Sequence, residues 1–220
     1  MNSTDILYDH YKESFSLTKE AQTRRNKSFI FLCLLEALSF LIYINPNKAF
    51  GLLLDGIKSK LGISLTWGNT ILQTLLWILI IYVLIRYIQD MLYVERQYTY
   101  LQSLEEAISH SLATNVFNRE GENYQKDYPM VLNFIDLFYK MFIPIFFIGI
   151  NTLRIYMEWM SINQTPTLAL ICDTFLYGAL FILTWFYFFE IHPKITNFCK
   201  RHLPLVEKAA NILREILQKV

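Results

Sequence analysis

Charge is scarce in this chain. Charged residues make up 18% of it, against about 25% in an ordinary soluble domain, and they cluster outside the apolar runs. The two signs nearly cancel, at a formal net charge of +1, so no basic surface argues for direct nucleic-acid binding. Cysteine is equally sparse. Cys33, Cys172 and Cys199 form no spaced pair, which excludes a disulfide framework and a thiolate metal site; Cys33 and Cys172 read as small buried hydrophobes inside apolar spans. The 7 glycines build no phosphate-binding loop, and neither an HExxH helix nor a G-x-S-x-G elbow occurs. His10, His110, His192 and His202 have no metal-ligand spacing with acids or cysteines. The sequence therefore argues against an enzyme, and it calls for no cofactor and no metal.

What fills the space is apolar. Hydrophobic residues reach 54%, with 17 Phe and 14 Tyr, and the mean hydropathy is +0.28. Four runs predict membrane spans, at 28–45, 70–88, 134–156 and 168–189. A helix needs about 20 residues to cross about 30 Å of hydrocarbon. The second and fourth runs meet that length outright; the first and third reach it with flanking residues. Tyr43, Trp67, Tyr87, Tyr156, Trp159, Trp185 and Tyr187 sit near run ends, where interfacial anchors belong. The first run follows a polar segment carrying Lys12, Lys19, Arg24, Arg25 and Lys27, which is the wrong layout for a cleaved signal peptide. A soluble bundle with four buried helices is the alternative, but a chain this small has too little polar surface to cover four such runs.

The expected fold is thus an all-α integral membrane protein with four transmembrane helices. Residues 1–27 form an N-terminal segment, 28–190 a four-span bundle, and 191–220 an amphipathic C-terminal helix. Segment 89–133 lies between spans two and three. Its first part extends span two as a helix, because Val94, Leu101, Leu104, Ile108 and Leu112 recur at helical spacing; that stripe packs on a neighbour or on a second copy. Segment 47–62 reads as a surface helix or a packed loop. Basic residues are denser beside the N-terminal segment, the middle segment and the tail than beside the opposite loops, which offer Lys48, Lys58, Lys60 and Arg154. That bias predicts cytoplasmic termini.

Two acids lie inside the runs, Glu36 deep in the first and Asp173 near the outer end of the fourth. A carboxylate in hydrocarbon needs a partner, a proton or water. Gln73 and Asn151 complete an intramembrane polar set. It reads either as hydrogen-bonding glue between helices or as an ion or proton pathway lined by Glu36. Asp136 and Lys140, four apart, are placed to pair at the membrane edge, and Pro144 is placed to kink span three.

The stretch FNREGENYQKDYP breaks the helix and is dense in charge. It reads as a solvated connector or as an elbow for a partner, with Arg119, Glu120, Glu122, Tyr124, Lys126, Asp127 and Tyr128 as the docking candidates. Together with VERQYTYLQSLEEAIS before it and the Tyr139 to Pro144 approach to span three, it resembles small four-span membrane proteins of bacteria. Some of these work beside antiviral systems, among them the membrane components of Kiwa and of certain RNA-targeting CRISPR loci. The resemblance implies a self-associating inner-membrane protein that acts with a soluble cytoplasmic partner, as an effector or scaffold in phage defence or stress response. A small ion channel or transporter component is the alternative.

Overall fold

The computed structural model describes residues 3–45, 48, 51, 55–56, 58–60, 69–112, 130–161 and 167–191. All of them that fall in regular elements are helical. Helix α1 spans Ser3–Ile44, α2 Asn69–Leu112, α3 Met130–Leu137, α4 Ile143–Met160 and α5 Thr167–Ile191, with a π-helical turn at Phe138–Phe142 between α3 and α4. Four of these stretches are long and apolar enough to cross a membrane. The docking candidates Arg119, Glu120, Glu122, Tyr124, Lys126, Asp127 and Tyr128, the C-terminal helix expected at 191–220 and most of the segment 47–62 lie outside the described residues.

Cross-helix pairs set the topology. Tyr11 meets Glu105, Arg24 meets Asp90 and Phe29 meets Tyr87, so α1 and α2 run antiparallel along their whole length. Trp77 lies beside Tyr177 and Tyr87 beside Tyr187, which makes α5 parallel to α2. Thr152 bonds Tyr177 and Trp159 bonds Thr174, so α4 is antiparallel to α5 and shares the direction of α1. The result is an up-down-up-down bundle.

The α1–α2 hairpin is far longer than a membrane is thick. At about 1.5 Å per residue, helices of 42 and 44 residues measure about 65 Å, twice the hydrocarbon depth. In the observed register Ser28 of α1 lies level with Ile88 of α2. These are the same two positions at which the apolar runs begin and end, so both helices leave the apolar zone together. Beyond that level residues 3–27 and 89–112 continue as a paired stalk about 35 Å long.

One seam holds bundle and stalk together. On α1 the inward positions are Ser14, Thr18, Ala21, Arg25, Ser28, Leu32, Leu35, Ser39 and Ile42; on α2 they are Ile80, Leu84, Tyr87, Met91, Val94, Tyr98, Leu101, Glu105 and Ile108. Both lists step by four and three residues without interruption, which is the heptad of a coiled coil. The sequence offered too irregular a stripe to predict one. The reason is that α1 contributes small or polar residues to the stalk half, with Ser14, Thr18 and Ala21 buried against Val94, Leu101, Leu104 and Ile108 of α2. The stripe on α2 is therefore covered by α1 of the same chain.

The outside of the bundle is apolar. Leu34, Leu41, Ile78, Phe175, Ile182 and Trp185 all face outward, and in the four spanning windows only 28%, 33%, 28% and 22% of the residues are buried. Such a surface is stable in lipid and costly in water. Cys33 and Cys172 belong to it: both are exposed, not buried as the sequence suggested, because each sits on the outer face of its helix. Lys140 pairs with Glu95 of α2 at 3.1 Å, while the side chain of Asp136, its expected partner, lies outside the described residues. Pro144 follows the π turn, where the Ile143 N–H bonds back to the Phe138 carbonyl; this five-residue register accommodates the bond that proline cannot donate.

Candidate intramembrane polar site

Helix α4 presents Phe147, Asn151, Arg154, Ile155 and Glu158 inward. The steps of four and three put the polar members on one face, and that face is turned to α1, α2 and α5. Asn151 Nδ2 donates to Glu36 Oε1 at 2.9 Å and to the Phe147 carbonyl at 3.0 Å. One turn further out, Arg154 Nε donates to Glu158 Oε1 at 3.2 Å, and its Nη2 to the Gln73 carbonyl at 3.2 Å. The guanidinium lies over the Trp77 ring, 4.0 Å from its centre, while the Trp77 indole N–H donates to the same Glu158 Oε1 at 3.3 Å. Arginine suits this place because its planar cation can stack and bond at once. Thr74 hydrogen-bonds Asp173, which lies within electrostatic reach of both Arg154 and Glu158.

The arrangement is a polar column on one side of the bundle's midplane. Glu36 is its deep end. Along α4 the rise from Asn151 to Glu158 is about 10 Å, and the shallow end lies toward the Ile44, Asn69, Met160 and Thr167 ends of the helices. On the other side of Glu36, toward the stalk, the buried side chains are mostly large and apolar or aromatic, among them Leu32, Val83, Leu84, Tyr87, Met91 and Tyr187, with Thr184 donating to the Leu180 carbonyl of its own helix. The column is short of partners. Glu36 Oε2, Ser39 Oγ, Asn151 Oδ1, Arg154 Nη1, Glu158 Oε2 and Asp173 Oδ1 are all buried without a hydrogen bond among the described residues.

Of the four polar residues singled out in the sequence, Glu36 and Asn151 are directly bonded. Asp173 joins the same cluster through Thr74 and the charge of Arg154. Gln73 contributes its backbone carbonyl. Sequence reasoning missed Arg154 and Glu158, which it left at the outer edge of span three, and it missed Trp77 and Thr74. Arg154 is 2% exposed and Glu158 3%, so Arg154 is no loop cation. A signal existed: an arginine and a glutamate four apart on the same face as Asn151, in a chain whose intramembrane acids lacked a cation. Among the described residues, no three His, Cys, Asp or Glu side chains come together as metal ligands.

Fold and site together define a multi-pass helical membrane protein with a charged, hydrogen-bonded interior. Comparison with protein-family models, curated proteins and solved structures finds no match for this chain.

Proposed function

We propose that the protein is a bacterial inner-membrane scaffold or effector, working as a homo-oligomer with a soluble partner in phage defence or stress response. The observation that carries this reading is the stalk. A hairpin that leaves the bilayer as two continuous, mutually packed helices offers a soluble protein a stiff surface about 35 Å long. The α2 seam is filled by α1 within one chain, so copies of the protein meet on another surface. Arg24, Arg25, Lys27, Arg86 and Lys140 gather where the stalk joins the bundle. With Arg154 committed to Glu158, the opposite end keeps fewer free cations, which strengthens the case for a cytoplasmic stalk and cytoplasmic termini. The partner-docking elbow 117–129 follows the stalk tip in sequence.

The test is protection. Cells carrying the gene with its chromosomal neighbours are challenged with phage, and plaques are counted. The wild type lowers the count. Leu101→Pro, which breaks the stalk, abolishes protection while the protein stays in the membrane, and Glu36→Gln retains it. No protection by the wild type under any neighbour set rejects the defence role.

A second reading rests on the partnerless buried carboxyl oxygens: a small channel or transporter component with Glu36 on the pathway. It predicts conduction in liposomes without a trigger and a changed conduction in Glu36→Gln. In one copy the packing of Leu32, Leu84, Tyr87 and Tyr187 below Glu36 stands across such a pathway, which is why the scaffold reading is preferred.

A further inference from the structure

The polar column holds three carboxyl groups, Glu36, Glu158 and Asp173, and one guanidinium, Arg154. Fully ionised, the site would carry two uncompensated negative charges inside the hydrocarbon zone, an arrangement too costly to persist. The unsatisfied atoms repeat the imbalance. Four are acceptor oxygens, Glu36 Oε2, Asn151 Oδ1, Glu158 Oε2 and Asp173 Oδ1; one is a donor, Arg154 Nη1; and the Ser39 hydroxyl can serve as either. The four acceptor oxygens belong to side chains that are 8%, 0%, 3% and 1% exposed, so bulk water does not satisfy them. A site with a surplus of acceptors and of negative charge takes up hydrogen that carries positive charge. The three carboxyl groups do not converge as metal ligands, which argues against one shared ion and for separate protons on separate carboxyls.

We propose that this column is a proton-binding site, filled from its shallow end and closed toward the stalk. Uptake forms an O–H bond at a carboxylate oxygen such as Glu36 Oε2, with the proton given up by hydronium at the shallow end of the column, which leaves water. Arg154 keeps its charge and fixes Glu158 by the ion pair at 3.2 Å, which leaves Glu36 and Asp173 as the exchanging groups. The groups that face them are few. Helix α1 brings Glu36 with Cys33 beside it, α4 brings Arg154 and Glu158, α5 brings Asp173 and Tyr177, and α2 brings Thr74 and Trp77, which do not titrate. The proposal deepens the carboxylate reading given above and rests on it for the place of the site, although binding does not require conduction.

The experiment uses the full chain in lipid nanodiscs. Infrared difference spectra are taken across an acid pH step, and the carbonyl band of protonated carboxyl groups is followed in wild type, Glu36→Gln and Asp173→Asn. The emission of Trp77, isolated by Trp67→Phe, Trp159→Phe and Trp185→Phe, reports whether each variant keeps the native packing around Arg154. Each variant is expected to lose one carboxyl's share of the band with native Trp77 emission, and exchange of sodium for choline at fixed pH should change nothing. An identical band in all three proteins overturns the proposal, and so does a signal that follows sodium instead of pH. Should either variant alter Trp77 emission, Glu36→Asp and Asp173→Glu, which retain the carboxyl, must restore the band; failure to do so also overturns it. Proton flux into dye-loaded liposomes separates the two claims. The band without flux rejects only the pathway, whereas flux without the band rejects the site.

Discussion

The hairpin buries an acid toward each of its ends, and the two are held differently. In the stalk, Glu105 is 2% exposed and accepts a bond from the Tyr11 hydroxyl at 2.9 Å. In the bundle, Glu36 is bonded at one oxygen by Asn151 and has no partner at the other. The stalk lies beyond the apolar runs, and polar and charged side chains such as Glu20, Arg24 and Glu106 cover its outside. The bundle is surrounded by apolar side chains that face lipid, so a missing partner there has no substitute. A single heptad thus runs through two surroundings, and the polar column lies beside it on the α4 side, not on the seam itself. The stalk half of the hairpin tolerates polar residues in its seam, while in the bundle the polar groups gather in the column between α1, α2, α4 and α5.

Breaking that column should have the largest effect. Arg154→Leu leaves Glu158 buried without its cation, a loss of about 3–5 kcal/mol, and it also removes the stack on Trp77. Unfolding by sodium dodecyl sulfate in mixed micelles should show it as a collapse of bundle stability, whereas Glu105→Gln in the stalk should leave the same curve nearly unmoved. The comparison fails if both variants shift the curve equally.

Leu101→Ala comes next. It removes a fully buried side chain from the stalk seam at a cost of about 2–5 kcal/mol. Hydrogen exchange should speed up in 10–22 and 94–112 while residues 30–44 and 71–86 keep their protection. Faster exchange throughout would mean that stalk and bundle form one cooperative unit.

A smaller effect is expected from Asn151→Leu. Interhelical hydrogen bonds within membranes contribute about 0.6 kcal/mol on average and about 2 at most, so the bundle should survive with a modest loss in the same detergent titration. A loss as large as that of Arg154→Leu would make Asn151 the keystone instead of the arginine. The least effect belongs to Arg24→Ala. The guanidinium is 54% exposed and reaches Asp90 at 3.3 Å; a surface pair of this kind contributes about 0–1 kcal/mol, and exchange of the stalk amides should hardly respond.

The two halves also differed in how much the sequence disclosed. The four spans were readable because hydropathy sums over 20 residues and a few polar side chains do not hide it. The helical continuation of span two was readable for the same reason, through Leu101, Leu104 and Ile108. Its partner was not, since Ser14, Thr18 and Ala21 carry little apolar area and gain burial only because the opposing α2 residues are large. In the column, Glu36, Asn151 and Asp173 stood out against apolar neighbours. Arg154 and Glu158 did not, because charges at the edge of a hydropathy window read as solvated. Only the helical phase, with Asn151, Arg154 and Glu158 on one face, places them indoors.

Helix α1 is one uninterrupted rod from Ser3 to Ile44. Tyr11, near the far tip of the stalk, and Glu36, at mid-membrane, are 25 positions apart on it, about 38 Å along the axis. No loop or proline intervenes to absorb a turn of the shaft. Any torque that a bound protein exerts on the distal tip is therefore delivered to the Glu36–Asn151 bond, and that contact is the first interhelical polar link in its path within the lipid.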